Sequence, residues 1–157
     1  MVNSKILKKI NFFADLNPDE LKSVSEIVNV KSFSPGDVVF SENVSGGELF
    51  IIQKGKVKIT KMIHEMEKQT LTILKENEFF GELSLLDGRQ HSATAEALTK
   101  LELLTIEKVA FDNFIKNNPV GGYKILRVMT IVIAGLLRQM DSKFIDMIKY
   151  VWGGGLV

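Results

Sequence analysis

The segment from Phe79 to Ala95 contains the residues best suited to chemistry. Two phenylalanines run into Gly81, a short helix is predicted to begin at Glu82, and a turn at Asp87-Gly88 leads through small residues into a strand. The first N–H groups of a helix lack partners, and the aligned peptide dipoles favour a negative charge there. A glycine at that point lets a ligand approach the backbone without meeting a Cβ. The segment therefore predicts a cradle for a small anion.

The run Phe80-Gly81-Glu82-Leu83-Ser84-Leu85, followed by a turn and small residues, resembles the phosphate-binding cassette of the cyclic-nucleotide-binding domain family. That family includes the catabolite activator protein and the regulatory subunit of cAMP-dependent protein kinase. The resemblance implies that Glu82 accepts the ribose 2′-hydroxyl, while the backbone around Gly81, Leu83 and Ser84 faces the phosphate. It also implies a cyclic nucleotide, cAMP or cGMP, as the ligand, with no cofactor required.

The second half of the motif departs from the family pattern. The family's phosphate-pairing arginine is replaced here by His91, with Ser92 and Ala93 in the small positions behind it. Arginine is permanently charged and binds phosphate bidentately, whereas histidine offers one well-aimed N–H and is charged mainly below about pH 6.5. Arg89 could share a face with His91 in a strand-like segment and supply the missing fork, or it could be a solvated turn residue.

Three functions stay open on these residues. The chain could bind a cyclic nucleotide through a reworked clamp, bind a different anion, or keep only the fold as an interaction or dimerisation module. We favour the first, as a regulatory sensor whose ligand is coupled to the C-terminal helix. If His91 pairs with the phosphate, the affinity for cyclic nucleotide should fall between about pH 6 and pH 8.

Composition sets the broad class of protein. The chain has 157 residues, enough for one domain with a sizeable core, and a net charge of +1 that gives no nucleic-acid or membrane footprint. It has no cysteine, which excludes disulfides, thiolate metal sites and a cysteine nucleophile. The N-terminus lacks the pattern of a secretory signal, so we expect a cytoplasmic protein.

The middle of the chain predicts an all-antiparallel sheet structure. Glycines at Gly36, Gly46 and Gly55 punctuate short strands without helices between them, which indicates a β-roll of the jelly-roll kind. We expect Met62 to Gln69, including His64, to be a solvated hairpin loop. The predicted strands are Val30–Phe33, Val38–Ser41, Leu49–Lys54, Val57–Met62, Thr70–Leu74, Ala93–Ala97 and Leu101–Glu107.

Helices are predicted at both ends. Apolar residues at helical spacing indicate a helix between Ile6 and Phe13, and Asn17-Pro18 starts a second one. Lys108–Lys116 forms a short helix, and a long helix follows from about Val120 to Val151 until Gly153-Gly154-Gly155 stops it. The predicted fold class is thus mainly β with flanking helices, in which residues 1–118 form the β-roll with its N-terminal helices and 119–157 form a lid and dimerisation helix.

The long helix carries an apolar seam whose members lie three or four residues apart: Leu126, Met129, Ile133, Leu136, Met140, Phe144, Met147 and Val151. Such a seam indicates pairing with another helix, burial against the chain's own β-roll, or both. We expect a homodimer through this helix. The most apolar stretch, Ile125 to Leu137, is interrupted by Arg127 and is shorter than the ~20 residues that cross a bilayer, so no membrane partner is expected.

Two other classes of protein fit poorly. A metal-dependent jelly-roll enzyme needs several converging histidines, and the chain has two, His64 and His91. Ser92 next to His91 would point to the opposite face of a strand, so they do not make a nucleophile and base, and we expect no catalysis. Too few residues follow Trp152 for a helix-turn-helix, so we expect no direct nucleic-acid partner.

Overall fold

The computed structural model describes residues 2–64 and 67–153 and consists of two antiparallel sheets flanked by helices. The strands are β1 Asn29–Phe33, β2 Val38–Phe40, β3 Glu48–Lys54, β4 Val57–His64, β5 Glu67–Leu74, β6 Phe79–Phe80, β7 Thr94–Ala97 and β8 Leu101–Glu107. They pair in the orders β1-β8-β3-β6 and β2-β7-β4-β5, which confirms the predicted jelly-roll.

Strand β3 lies between β8 and β6 in its sheet, and both of its faces are apolar. Leu49 and Ile51 belong to the core that the helices cover, whereas Phe50 and Ile52 belong to the core inside the roll. Successive side chains of a strand point to opposite faces, so a strand between two cores needs apolar residues at every position. The alternation along β3 thus joins the two apolar clusters into one domain.

The N-terminal helices differ in part from their prediction. The segment from Ile6 to Phe13 is not one helix: α1 covers only Ser4–Leu7, and a 3₁₀ turn covers Asn11–Phe13. Helix α2 runs from Pro18 to Ile27 as expected. Its start is a capping box, in which Asn17 Oδ1 accepts from the Glu20 N–H at 2.9 Å and Glu20 Oε2 accepts from the Asn17 N–H at 2.8 Å.

The hairpin between β4 and β5 is longer than predicted. Met62 to His64 and Glu67 to Gln69 continue the two strands, so the expected loop from Met62 to Gln69 is wrong outside residues 65 and 66. The pairing continues as far as His64 and Glu67 and contains two irregularities, between Ile59 and Thr60 and between Met62 and His64.

Three further helices complete the fold: α3 Glu82–Asp87, α4 Lys108–Asn117 and α5 Pro119–Gly153. The first turns of α5 pack on the domain, where Lys124 Nζ donates to both carboxylate oxygens of the buried Glu20 at 2.8 and 3.1 Å. Ile125 and Met129 enter the core that the helices cover. The predicted stop at Gly153-Gly154-Gly155 lies beyond the described residues after Gly153.

The distal half of α5 extends away from the core. Phe144, Met147 and Val151 are 57%, 55% and 66% exposed, so this part of the predicted seam does not pack on the chain's own roll. Pro119–Trp152 is long and apolar enough to cross a bilayer. A helix that packs on a protein core can have the same length and composition, so these two properties do not identify a membrane span.

Candidate ligand-binding site

A cavity of about 320 Å³ lies at the cassette segment. Its walls come from the roll, from α3 and from α5, and seven of the eight residues predicted for the site contribute to it. Those seven are Gly81, Glu82, Leu83, Ser84, His91, Ser92 and Ala93. The volume is near the lower end of the range for small-molecule pockets.

Gly81 fixes the approach of α3 to the roll. Its φ is +80°, and a Cβ at this position would lie 2.6 Å from the Glu48 carbonyl oxygen and 3.0 Å from the Phe50 ring. Only glycine satisfies both the left-handed backbone and this close packing. The first intrahelical bond runs from the Leu85 N–H to the Gly81 carbonyl, so the N–H groups of Leu83 and Ser84 precede the helical ladder.

Glu82 presents the first carboxyl group of the cavity wall. Burial raises its pKa above the ordinary value, and a hydrogen bond from its own backbone N–H lowers it in part. A carboxylate in a half-buried cavity is an acceptor of strong hydrogen bonds from hydroxyl groups. This is the chemistry that a ribose hydroxyl requires.

His91 is buried, with 7% of its surface exposed, and its ring stacks on Phe40 with 3.6 Å between centroids. Its Nδ1 lies 3.3 Å from Ser84 Oγ. The same hydroxyl donates to the Gly81 carbonyl at 3.0 Å and accepts from the Gly47 N–H at 3.4 Å. Burial lowers the pKa of His91, and the nearby Glu48 carboxylate raises it in part.

Arg89 lies outside the cavity wall. Its side chain is 85% exposed, and its Nε lies 3.6 Å from Asp87 Oδ2 within the same turn. The condition for Arg89 to share a face with His91 is not met, because β7 begins only at Thr94 and residues 91–93 precede the strand. The structure therefore gives Arg89 the alternative role of a solvated turn residue.

Sequence reasoning missed the opposite wall of the cavity. It is formed by Phe40, Ile59, Thr72, Leu74, Glu78, Phe79, Leu136 and Gln139, together with the cassette residue Phe80. Leu136 and Gln139 lie three residues apart on α5 and therefore share a face. Of these residues, Leu136 belonged to the predicted seam and Phe79 to the start of the predicted cassette segment, whereas nothing local in the sequence directs the others to the site.

A second cavity, of about 620 Å³, also has His91 in its lining, together with Phe40, Glu48, Gly46, Gly47 and Lys108 among others. Glu48 Oε2 pairs with Lys31 Nζ at 2.7 Å, and Glu48 Oε1 is buried without a hydrogen-bond partner among the described residues. His91 and Phe40 thus line both cavities.

Comparison with known proteins identifies the family. The family model of the cyclic nucleotide-binding domain matches residues 30–118, more than half of the chain. The chain belongs to the cyclic nucleotide-binding domain family. That segment includes every cassette residue and all eight strands except the first residue of β1.

Individual relatives agree with this membership. The chain is 28% identical over 144 residues to a CRP-like cAMP-activated global transcriptional regulator of Mycobacterium tuberculosis, covering 92% of this chain and 62% of the regulator. It is 31% identical over 117 residues to cGMP-dependent protein kinase isozyme 2 of Drosophila melanogaster, covering 73% of this chain and 12% of the kinase. The chain therefore spans less than two thirds of either relative.

A solved structure supports the fold. The crystal structure of a cyclic nucleotide-binding domain from Methylobacillus flagellatus superimposes with a TM-score of 0.79 at 22% identity, covering 91% of this chain and 80% of that one. The mycobacterial relative is named as a transcriptional regulator, and the Methylobacillus domain shares the jelly-roll fold.

Proposed function

We propose that this chain is a regulatory sensor domain that binds a cyclic nucleotide, cAMP or cGMP, in the cavity beside α3. The observation that supports the proposal best is that seven of the eight predicted site residues surround a single cavity. Family membership supports the same ligand class, since one relative is named as cAMP-activated and another as cGMP-dependent.

In this proposal the ligand enters with its ribose toward Glu82. The carboxylate accepts the 2′-hydroxyl, and the ligand phosphate faces the N–H groups of Leu83 and Ser84. Gly81 lets the sugar phosphate approach the backbone because no Cβ fills the space. His91 adds a charged hydrogen bond to the phosphate only when its ring is protonated.

The pH dependence follows from this role of His91. Its pKa in the unliganded domain is lowered by burial, and a bound phosphate would raise it. Binding then takes up a proton between the two pKa values, so the affinity falls as the pH rises through that interval and is constant below it. The interval begins below about pH 6.5, lower than the sequence alone suggests.

Coupling to α5 runs through Leu136 and Gln139, which line the same cavity as the cassette. A ligand shifts a helix between two positions only by the difference in its affinity for them, and contact with α5 provides that difference. The exposed apolar residues beyond, such as Phe144 and Met147, would pack against the same helix of a second copy. The proposed partner is thus a second copy of this chain, which forms a homodimer through α5, and the proposed location is the cytoplasm.

The alternative is an interaction or dimerisation module that keeps the fold and binds no cyclic nucleotide. One observation favours it: the described lining of the cavity includes no lysine or arginine. In either case we propose a regulatory and non-catalytic role, with no cofactor, no direct nucleic-acid contact and no membrane insertion.

A thermal-shift screen separates the two. A ligand that binds only the folded state stabilises it by RT ln(1 + [L]/Kd), about 2.7 kcal/mol at a hundredfold excess over Kd. We expect cAMP or cGMP to raise the melting temperature at pH 6, cyclic dinucleotides to have no effect, and Glu82→Ala to abolish the shift. If none of these ligands shifts the melting temperature of the folded protein, the sensor proposal fails and the interaction or dimerisation module is the remaining function.

A further inference from the structure

The electrostatics of the cavity do not suit an anion at neutral pH. Its lining includes two carboxyl groups, Glu78 and Glu82, and among the described residues no lysine or arginine. Glu78 is held in place because its Oε2 accepts from the Lys75 N–H at 2.8 Å. A phosphodiester entering this cavity leaves water, which costs free energy, and finds like charges at the wall.

His91 is the only basic side chain among the described residues of the wall, and it is already hydrogen-bonded within the protein. Ser84 Oγ has a single proton, and its shorter contact is to the Gly81 carbonyl, at 3.0 Å against 3.3 Å to His91 Nδ1. With that proton on the Gly81 side, Ser84 Oγ can only accept from Nδ1, and in the tautomer of the neutral ring that makes this bond the other nitrogen carries no proton. The stack on Phe40 restrains the plane of the ring.

The remaining wall matches an uncharged sugar attached to a flat base. The Glu82 carboxylate can accept two vicinal hydroxyls. Ile59, Leu74 and Leu136 supply apolar surface for a heteroaromatic ring. Thr72, Ser92 and Gln139 add uncharged donors and acceptors that can orient a base or a sugar, and none of them requires a negative ligand.

We infer that the cavity binds an uncharged nucleoside, a ribose with a heteroaromatic base, at least as tightly as the corresponding cyclic nucleotide at neutral pH. The inference rests on the proposed function in that the ribose is placed at Glu82 in the same cavity. It goes beyond that function because recognition resides in the sugar and the base. Once His91 is neutral, the contacts of the phosphate with the Leu83 and Ser84 N–H groups only offset its loss of water and its repulsion from Glu78 and Glu82.

Calorimetric titrations of the wild-type chain at pH 7.5 test this directly, with adenosine and guanosine against cAMP and cGMP. We expect the better nucleoside to bind with a Kd equal to or below that of its cyclic nucleotide. Its 2′-deoxy form should bind about tenfold more weakly or worse, because one hydrogen bond from a hydroxyl to the charged Glu82 is lost. A cyclic nucleotide that binds tenfold more tightly than its nucleoside would overturn the inference while the proposed function stands. No binding of either class at pH 7.5 or pH 6 would overturn both.

Two charge-adding variants sharpen the comparison. His91→Arg places a permanent cation at the wall and should improve cyclic nucleotide binding by about tenfold or more relative to the nucleoside. Gln90→Arg adds the same charge at an exposed neighbouring side chain and should leave the ratio of the two Kd values unchanged. An unchanged ratio in a folded His91→Arg variant would contradict the inference, and if that variant does not fold, the wild-type ratio decides.

Discussion

Replacing Gly81 by alanine tests whether the close approach of α3 to β3 shapes the cavity. The new Cβ would impose two costs. A left-handed backbone costs a residue with a Cβ roughly 1–2 kcal/mol. The Cβ would also stand 2.6 Å from the Glu48 carbonyl oxygen, and such overpacking costs about 1–3 kcal/mol because the strand or the helix must move. The sum is a loss of about 2–5 kcal/mol in the free energy of unfolding.

Gly36→Ala is the matched control. Gly36 has a φ of +89°, and a Cβ there would meet nothing within 4 Å, so only the backbone cost of roughly 1–2 kcal/mol applies. Urea unfolding at equal protein concentration measures both variants, since self-association would make stability depend on concentration. Equal losses in the two variants would refute the packing of Gly81 against β3 and with it the shape of the cavity wall.

Three further predictions address the supporting structure. Lys124 holds the pKa of Glu20 below its ordinary value, so this carboxylate contributes stability above its unfolded pKa that is lost as the pH falls through the lower folded pKa. Denaturation of Lys124→Met should show a loss of about 1–3 kcal/mol at pH 7 and a weaker decline toward acid pH, and an unchanged profile would refute the pairing. Asn17→Ala removes the cap of α2 and should cost about 1 kcal/mol in urea unfolding, with no loss if the capping box is absent in solution. Light scattering should show that Phe144→Glu converts a dimer into a monomer while Val109→Glu, also at an exposed position, does not; a dimer in both variants would exclude the distal half of α5 as the interface.

Much of the architecture could be predicted from local sequence patterns. Glycine-punctuated apolar segments identify the strands, and Asn17-Pro18 identifies the start of α2, because turn and cap chemistry depend on residues that are neighbours in the chain. The cassette residues also lie close together in the chain, so the glycine and the helix start at Glu82 predict their shared cavity. The predicted loop from Met62 to Gln69 was wrong because pairing between β4 and β5 stabilises, as strand, a charged sequence that local patterns assign to a loop.

The rest of the site depends on contacts between distant segments. Phe40 stacks on His91 across 51 positions of the sequence, and this burial, which no local pattern reveals, lowers the pKa of the histidine. Thr72 and Gln139 reach the same cavity from β5 and α5, whose relative placement depends on tertiary packing. Arg89 could not be assigned from spacing alone, because its turn directs it to Asp87.

Calorimetric titration with cAMP and cGMP at pH 6, in the wild type, Glu82→Ala and Arg89→Ala, decides whether the cavity beside α3 is a cyclic nucleotide site. We expect one ligand per chain in the wild type, loss of binding in Glu82→Ala, and unchanged binding in Arg89→Ala, because Glu82 lines the cavity and Arg89 does not. Binding that survives Glu82→Ala, or that requires Arg89, would refute the proposed site.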